Sequence, residues 1–283
     1  MEISVVQAAV LGLVQGLTEF IPVSSTAHLR IVPALLGWGD PGAAFSAVIQ
    51  LGTLAAMVFY FAGDIRRLTL AALRSVVHPE KRREPEALLA WRIAAGNLPI
   101  IVLGLGFKNL IETQARGLFL IAAMLVLVAL GLAALEWRLR KSGGSASPGT
   151  GMNSLTLSAV MGIGFWQALA LIPGTSRSGA TLLGAMLAGM NRAEAARFSF
   201  LLGIPAIFGG GLLELKPVVE GVQSGNLTWM ALGVGLLTAT LSGYAAIEFL
   251  LRYLRTRTTL IFVGYRLMLA GLVVALALVG AIR

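Results

Sequence analysis

Long apolar runs decide which folds are open to this chain. They extend over Leu118–Leu135, Trp229–Leu251 and Leu260–Ile282, with a shorter run over Phe45–Phe61. A helix needs about 20 residues to cross the hydrocarbon core of a bilayer, so these runs are candidate spans. Only 12% of the residues are charged, against about 25% in soluble domains, and a soluble fold could not hide so much apolar surface from water. These features predict an all-α polytopic membrane protein.

The basic residues lie in short segments between the apolar runs. The formal net charge is +9, but its distribution argues against nucleic acid as a partner. Loops that face an anionic cytoplasmic leaflet are basic in this way, so we expect contacts with membrane lipids instead. The chain has no cysteine, which excludes disulfides, thiolate nucleophiles and cysteine-bound metals.

Two parts of the chain are similar to each other in sequence. Ala9–Leu13 recurs as Ala159–Ile163, and Ile21–Ser25 recurs as Ile172–Ser176. Apolar helices often look alike, but the aligned proline and serine positions favour a duplicated unit over chance. A polar, glycine-rich and serine-rich segment separates the two parts. We therefore predict one membrane domain over residues 1–283, with repeat one at about 1–140, a linker at 141–153 and repeat two at about 154–283.

Each repeat opens with two apolar segments that are too short to span a bilayer. They are Val5–Phe20 with Leu29–Leu36, and Leu155–Ile172 with Leu182–Met190. Such pairs at corresponding positions of two repeats are typical of re-entrant half-helices that meet near the midplane. Placing the basic segments in the cytoplasm gives six transmembrane helices, at about 45–62, 92–110, 117–136, 195–214, 229–250 and 260–281. The two hairpins then enter from opposite sides, so the second repeat is inverted; eight thin spans are the weaker alternative.

Polar residues concentrate where the short segments are interrupted. One polar break runs from Gln15 to His28, and the other from Pro173 to Thr181. Polar groups deep in a membrane are costly and usually functional, and inversion would bring the two breaks face to face. A proline in the first turn of each following helix, with hydroxyls beside free backbone N–H groups, predicts two helix starts aimed at one anion. Arg177 adds a full charge and a planar fork, so a phosphate is the simplest ligand.

The first break also holds candidates for catalysis. Ser25 and His28 are three residues apart, so a helix that starts at Pro22 would place the hydroxyl beside the imidazole, where the histidine can act as base. His28 could instead attack, activate a water or protonate a leaving oxygen. Glu19 could hold a divalent cation, orient His28, act as base or pair with Arg177. One carboxylate with phosphate oxygens and waters is sufficient for Mg²⁺.

The two breaks resemble the signatures of the undecaprenyl-diphosphate phosphatase family, which is also known for bacitracin resistance. The first family motif is Glu or Gln, three residues, Glu, and then Pro-Val-Ser-Ser-Thr-x-His; Gln15, Glu19 and the stretch from Pro22 to His28 meet it. The second, Pro-Gly-x-Ser-Arg-Ser-x-x-Thr, is met by Pro173 through Thr181. The likeness covers essentially the whole chain. Gln15 stands where some members have Glu, which removes one candidate metal ligand.

The resemblance implies a hydrolase of the bacterial plasma membrane that converts undecaprenyl diphosphate to undecaprenyl phosphate and so recycles the carrier lipid for cell-wall synthesis. It implies Glu19, Ser25, His28 and Arg177 as catalytic residues, with Glu19 also a metal ligand. The substrate-binding residues that it implies are Gln15, Ser24, Thr26, Gly174, Ser176, Ser178 and Thr181. It further implies a divalent cation, Mg²⁺ first and Ca²⁺ as the alternative, a homodimer, and a site that opens to the periplasm.

Other functions are compatible with parts of this pattern. Inverted repeats with broken midplane helices are common in transporters, so a transporter or flippase of a polyprenyl phosphate is the leading alternative. A lipid-binding protein without catalysis is a second one, and an ion channel is disfavoured because no span carries a stripe of charge. Neither transport nor binding needs a nucleophile. The group of Ser25, His28 and Glu19 therefore favours an enzyme.

Overall fold

The computed structural model describes residues 3–38, 42–107, 117–141, 151–223 and 228–282, and every regular element in these ranges is a helix. The α-helices, numbered in chain order, are α1 Val5–Phe20, α2 Ser25–Leu35, α3 Gly42–Tyr60, α4 Ala62–Val77, α5 Pro85–Gly96, α6 Leu98–Gly106, α7 Leu118–Lys141, α8 Leu157–Ala168, α9 Arg177–Leu187, α10 Arg192–Gln223, α11 Trp229–Thr256 and α12 Leu260–Leu278. Short 3-10 helices lie at Pro79–Arg83, Met152–Ser154 and Leu169–Leu171. The all-α prediction is confirmed, and most of the predicted linker, 142–150, lies outside the described residues.

Several helices are long and apolar enough to cross a bilayer. Within the described ranges five qualify: Pro85–Gly106 (α5 with α6), α7, Arg192–Leu213 in α10, α11 and α12. A sixth candidate is the pair α3 and α4, which is bent by 78° where the two helices meet. These positions agree with the predicted spans, although the helix expected at about 92–110 already begins at Pro85. The chain is therefore a multi-pass membrane protein.

Two pairs of shorter helices occupy the positions of the predicted hairpins. α1 and α8 have 16 and 12 residues, and α2 and α9 have 11 each, fewer than the roughly 20 that a span needs. Each pair is separated at a serine, Ser24 or Ser176, with φ of 76° or 66°. Among the described residues these are the only positive φ values outside glycine, and such values are uncommon for other residues. The shared break supports the duplication, while the inversion and the single-domain arrangement stay predictions.

The helices that follow the breaks begin later than the sequence suggests. The prediction that a helix starts at Pro22 was wrong, because Pro22 lies in a turn and α2 begins at Ser25. In repeat two, α9 begins at Arg177 rather than at Pro173. The positive φ of the serine before each helix explains the difference, since helical hydrogen bonding cannot continue through that conformation.

Glycines let the hairpin helices approach spanning helices closely. A Cβ atom on Gly16 of α1 would lie 2.0 Å from Ser242 Oγ and 2.5 Å from the Ala239 carbonyl oxygen, both in α11. In repeat two, a Cβ on Gly164 of α8 would lie 2.2 Å from the Gly96 carbonyl oxygen of α5. Small residues at helix contacts matter in membranes, where close packing and hydrogen bonds drive association. The two hairpins are thus held by similar contacts.

We expect Gly16→Ala to destabilise the protein by about 1–3 kcal/mol, the usual cost of overpacking a tight contact. The added methyl group would meet a backbone carbonyl oxygen, so α1 and α11 would have to separate. Gly233→Ala in α11 is the matched control, because a Cβ there meets nothing within 4 Å. Thermal unfolding in detergent measures the difference. Equal melting temperatures for the two variants would contradict the close contact.

Aromatic packing fixes the end of α1 beside α10. Phe20 is fully buried and meets Phe200 of α10 edge to face, with ring centroids 5.3 Å apart. Phe61, between α3 and α4, lies 6.2 Å from the same Phe200 ring. Glu19 directly precedes Phe20, so this cluster sets the position from which the carboxylate projects.

Candidate active site

Glu19 is the centre of a buried polar cluster. It lies near the end of α1 and is 6% exposed. Its Oε2 accepts hydrogen bonds from Gln15 Nε2 at 3.0 Å and from Ser25 Oγ at 2.8 Å. Its Oε1 lies 3.3 Å from Arg177 Nη2. The structure therefore joins residues of both predicted breaks at one carboxylate.

The Arg177 guanidinium is held between the start of α9 and α10. Its side chain is 8% exposed, and Nη1 donates to the Ser199 carbonyl oxygen at a long 3.4 Å. Gly203 makes room for it, since a Cβ at that position would lie 1.6 Å from Nη1. Within the described ranges its Nε has no hydrogen-bond partner. With two long contacts and an unused donor, the guanidinium retains hydrogen-bonding capacity for an anionic ligand.

His28 forms a hydrogen bond with Tyr265 of α12 rather than with Ser25. Its Nδ1 lies 2.8 Å from the Ser24 carbonyl oxygen, and its Nε2 lies 2.6 Å from the Tyr265 hydroxyl. Ser25 and His28 both lie in the first turn of α2. In the described part of the chain no hydrogen bond joins them, because the serine hydroxyl donates to Glu19. The expected serine–histidine hydrogen bond is therefore not formed, and the chemical roles of both residues stay predictions.

Arg266 of α12 connects the two breaks. The residue is fully buried. Its hydrogen bonds go to backbone carbonyl oxygens at 3.0–3.2 Å: those of Pro22, Met124, Leu125, Gly174 and Thr175. One of these acceptors lies in the first break, two lie in the second and two lie in α7. A single guanidinium therefore holds both turns and a spanning helix together.

The predicted substrate-binding serines and Thr26 lie at the helix starts. Ser24 and Ser176 are the N-cap residues of α2 and α9. Ser176 Oγ accepts the Gly179 N–H at 3.2 Å and lies 3.2 Å from Ser178 Oγ. Thr26 is exposed in the first turn of α2. Ser24 and Thr26 adjoin Ser25 in sequence, and Ser176 and Ser178 adjoin Arg177. Phosphate binding by these hydroxyls stays a prediction.

Thr181 and Gly174 are also predicted substrate ligands, and both make structural contacts. Thr181 Oγ1 donates to the Arg177 carbonyl oxygen at 2.7 Å and contacts the Ser199 hydroxyl. Gly174 has φ of 92°, and a Cβ there would lie 2.4 Å from the Ile121 carbonyl oxygen of α7. Only glycine allows both this conformation and this approach. Both residues shape the segment that presents Arg177.

A metal could be held at Glu19. The described residues contain no group of three or more His, Cys, Asp or Glu side chains that could hold an ion. Glu19 Oε1 has one contact, at 3.3 Å, and so has lone-pair capacity left. Mg²⁺ is commonly held by one or two carboxylates together with substrate phosphates and waters. The site therefore fits a cation that binds together with a phosphate ligand.

The sequence did not predict four residues of this site: Ser199, Gly203, Tyr265 and Arg266. A signal existed for Arg266, which is the only charged residue of α12. An ionisable residue inside a membrane helix is a functional candidate by default. Ser199, Gly203 and Tyr265 resemble ordinary packing residues of apolar helices, so only the tertiary structure identifies them.

The geometry defines a class of protein. The N-terminal ends of α2 and α9 carry partial positive charge, and both adjoin turns bonded to Arg266. Together with Arg177 they favour an anion with several oxygen atoms. A serine hydroxyl held on a buried carboxylate lies in the same cluster. This is a multi-pass helical membrane protein with a candidate anion site that contains a candidate nucleophile.

Comparison with known proteins gives the family. The chain matches the family model described as Bacitracin resistance protein BacA over residues 8–272. It is 50% identical over 277 residues to the undecaprenyl-diphosphatase of Myxococcus xanthus strain DK1622, covering 98% of this chain and 90% of that relative. It is 46% identical over 269 residues to the undecaprenyl-diphosphatase of Chlorobaculum tepidum, covering 95% of each. The chain belongs to the BacA family, as its two motifs predicted.

Proposed function

We propose that this protein hydrolyses undecaprenyl diphosphate to undecaprenyl phosphate and inorganic phosphate. The relatives are named for this activity. The observation that carries the proposal is the 2.8 Å hydrogen bond from Ser25 to Glu19, whose other oxygen meets Arg177. A transporter or flippase of a polyprenyl phosphate would need the positive charge but not a hydroxyl held on a carboxylate.

The diphosphate would bind between the starts of α2 and α9. Arg177 would donate to the terminal phosphate with the nitrogen atoms that are little used in the structure. Backbone N–H groups of the two first turns and the hydroxyls of Ser24, Thr26, Ser176 and Ser178 would complete the phosphate site. The polyprenyl chain would leave sideways into the lipid.

Ser25 is the proposed nucleophile and Glu19 the proposed base. Ser25 Oγ attacks the terminal phosphorus while its proton passes to Glu19 Oε2, with which it already shares a hydrogen bond. The bond from that phosphorus to the bridging oxygen breaks, and undecaprenyl phosphate leaves with the bonding electrons. Water then attacks the phosphorus of the phosphoserine, the bond from phosphorus to Ser25 Oγ breaks, inorganic phosphate leaves, and Oγ takes back the proton from Glu19. Arg177 stabilises the charge on the transferred group, which is the main catalytic task in phosphoryl transfer.

The proposal includes a divalent cation, for which Mg²⁺ is preferred and Ca²⁺ is the alternative. Glu19 Oε1 would hold it, with phosphate oxygens and waters as its other ligands. When bound, the cation would neutralise charge on the phosphate oxygens.

The family relationship supports a cellular setting for this reaction. We place the protein in the bacterial plasma membrane with its site open to the periplasm, where it would return the carrier lipid to cell-wall synthesis. The orientation rests on placing the basic segments in the cytoplasm, according to the usual charge asymmetry. A homodimer is included on the family resemblance alone.

Phosphate release from a polyprenyl diphosphate by the purified protein in detergent tests the proposal. We expect metal-dependent release that a chelator suppresses and that Ser25→Ala lowers by about a thousandfold or more, because the nucleophile is lost. Ser158→Ala is the matched control, since Ser158 is exposed and its hydroxyl meets Thr156. That variant should release phosphate at the wild-type rate.

Each failure has a distinct meaning. Release that survives Ser25→Ala would assign the attack to His28 or to water, as would a trapped phospho-enzyme that maps to another residue. Absence of release from folded wild-type protein with Mg²⁺, Ca²⁺ and Mn²⁺ would contradict the phosphatase and favour the transporter. Transport of a polyprenyl phosphate into sealed vesicles would then be the next measurement.

A further inference from the structure

Tyr265 of α12 contacts His28 through its hydroxyl group. The tyrosine hydroxyl lies 2.6 Å from Nε2, and the two ring planes are inclined by only 8° with centroids 5.6 Å apart. The other ring nitrogen, Nδ1, lies 2.8 Å from the Ser24 carbonyl oxygen. His28 is 7% exposed. The imidazole therefore cannot turn without giving up two hydrogen bonds in a buried position.

These partners fix where the imidazole proton lies. A carbonyl oxygen can only accept, so Nδ1 carries the hydrogen and donates to Ser24. In the neutral ring Nε2 is then unprotonated, and it accepts from the Tyr265 hydroxyl. The lone pair that a general base would use is thereby occupied. This agrees with Glu19, rather than His28, as the acceptor of the Ser25 proton.

We propose that Tyr265 is the positioning residue for His28 in the phosphatase reaction. The carbonyl that takes the Nδ1 hydrogen belongs to Ser24, the positive-φ residue that starts α2. Holding the ring in place therefore also holds the turn that presents Ser25 to Glu19. The neighbouring Arg266 bonds the Pro22 carbonyl oxygen of the same turn. Two consecutive residues of α12 thus fix one break through two different contacts.

A spectroscopic experiment tests the contact without any assay of activity. The chain has two histidines, His28 and His78, so the ring nitrogen spectrum of protein labelled with ¹⁵N-histidine contains few signals. His78→Gln identifies the signals of His28. At a pH where the ring is neutral, we expect the Nδ1–H tautomer and a hydrogen-bonded Nε2 in the wild type. In Tyr265→Phe the Nε2 signal should move toward the position of a free imine nitrogen.

A kinetic experiment tests the functional part, which rests on the proposed function. Tyr265→Phe keeps the ring and removes only the hydroxyl, so the protein should fold. We expect kcat for a polyprenyl diphosphate to fall about tenfold or more, as when the outer partner of a functional histidine is removed, with KM little changed. Tyr253→Phe is the matched control, because Tyr253 contacts Phe249 and Phe262 through its ring.

The two readouts separate the possible failures. A moved Nε2 signal together with a lower kcat supports the proposal. An unmoved Nε2 signal in Tyr265→Phe overturns it, whatever the activity. A moved signal with wild-type kcat overturns the positioning role, and a raised KM at unchanged kcat overturns it in favour of direct substrate binding by Tyr265. If the wild type has no phosphatase activity, the proposed function fails while the nitrogen spectrum still decides the contact.

Discussion

Arg177→Ala should lower kcat for phosphate release by about a thousandfold or more, the effect of removing an arginine that stabilises a transferring phosphoryl group. The change removes the planar fork that we place on the terminal phosphate. It also leaves the carboxylate of Glu19 buried without the guanidinium group that pairs with it. Arg177→Lys should recover only part of the activity, because an ammonium keeps the charge but lacks the fork.

Controls separate catalysis from stability at this position. Losing one partner of a buried pair costs up to about 3–5 kcal/mol, whereas losing both costs much less. The double variant Glu19→Gln with Arg177→Ala should therefore melt closer to the wild type than Arg177→Ala does, yet remain inactive. Arg67→Ala should change neither property, since that side chain is 58% exposed. Phosphate release above a tenth of the wild-type rate in Arg177→Ala would exclude Arg177 from the reaction.

Arg266→Met should have the largest effect on stability, about 4 kcal/mol or more. Methionine fills a similar volume but has no donor, so the buried carbonyl oxygens of Pro22, Gly174 and Thr175 in the two breaks lose their hydrogen-bond partner. Each unsatisfied buried acceptor costs roughly 1–3 kcal/mol, only partly recovered by relaxation. Activity should fall with stability, because the turns that carry Ser25 and Arg177 are no longer held together.

Thermal unfolding in detergent and phosphate release measure this effect together. Arg252→Met is the matched control, since its side chain is 75% exposed and pairs with Glu248 of the same helix. It should shift the melting temperature little, as expected for an exposed ion pair. Arg266→Lys should lie between the wild type and Arg266→Met. A melting temperature of Arg266→Met equal to that of Arg252→Met would contradict the role of Arg266 in joining the breaks.

Much of the fold could be predicted from sequence because lipid imposes few solutions. Apolar runs as long as Leu260–Ile282 have little choice but to span, and the short pairs around Pro22 and Pro173 cannot span alone. The helix starts were placed a few residues too early, because the positive φ of Ser24 and Ser176 depends on tertiary contacts. Local sequence contains no such information.

The sequence predicted which polar residues come together in the site, but not which hydrogen bonds join them. The equivalent positions of the two breaks in the repeats placed Glu19 and Arg177 in one site, and the structure joins them at 3.3 Å. The partner of Ser25 was not predictable, because α2 and the end of α1 meet through a turn whose shape no motif specifies. Tyr265 and Arg266 lie more than two hundred residues from the first break, and pairings of that kind come only from the packed structure.

The hydrogen bonds from Arg266 to both breaks have a consequence for biosynthesis. Glu19, Ser25 and Arg177 all precede α12 in the chain, but the guanidinium that binds the neighbouring turns belongs to α12, the last helix among the described residues. A nascent chain without α12 would contain Glu19, Ser25 and Arg177 but lack the guanidinium that joins the turns beside them. In the proposed mechanism the two turns are therefore joined only after α12 has inserted into the membrane, so chains that lack α12 would not act on the lipid around them.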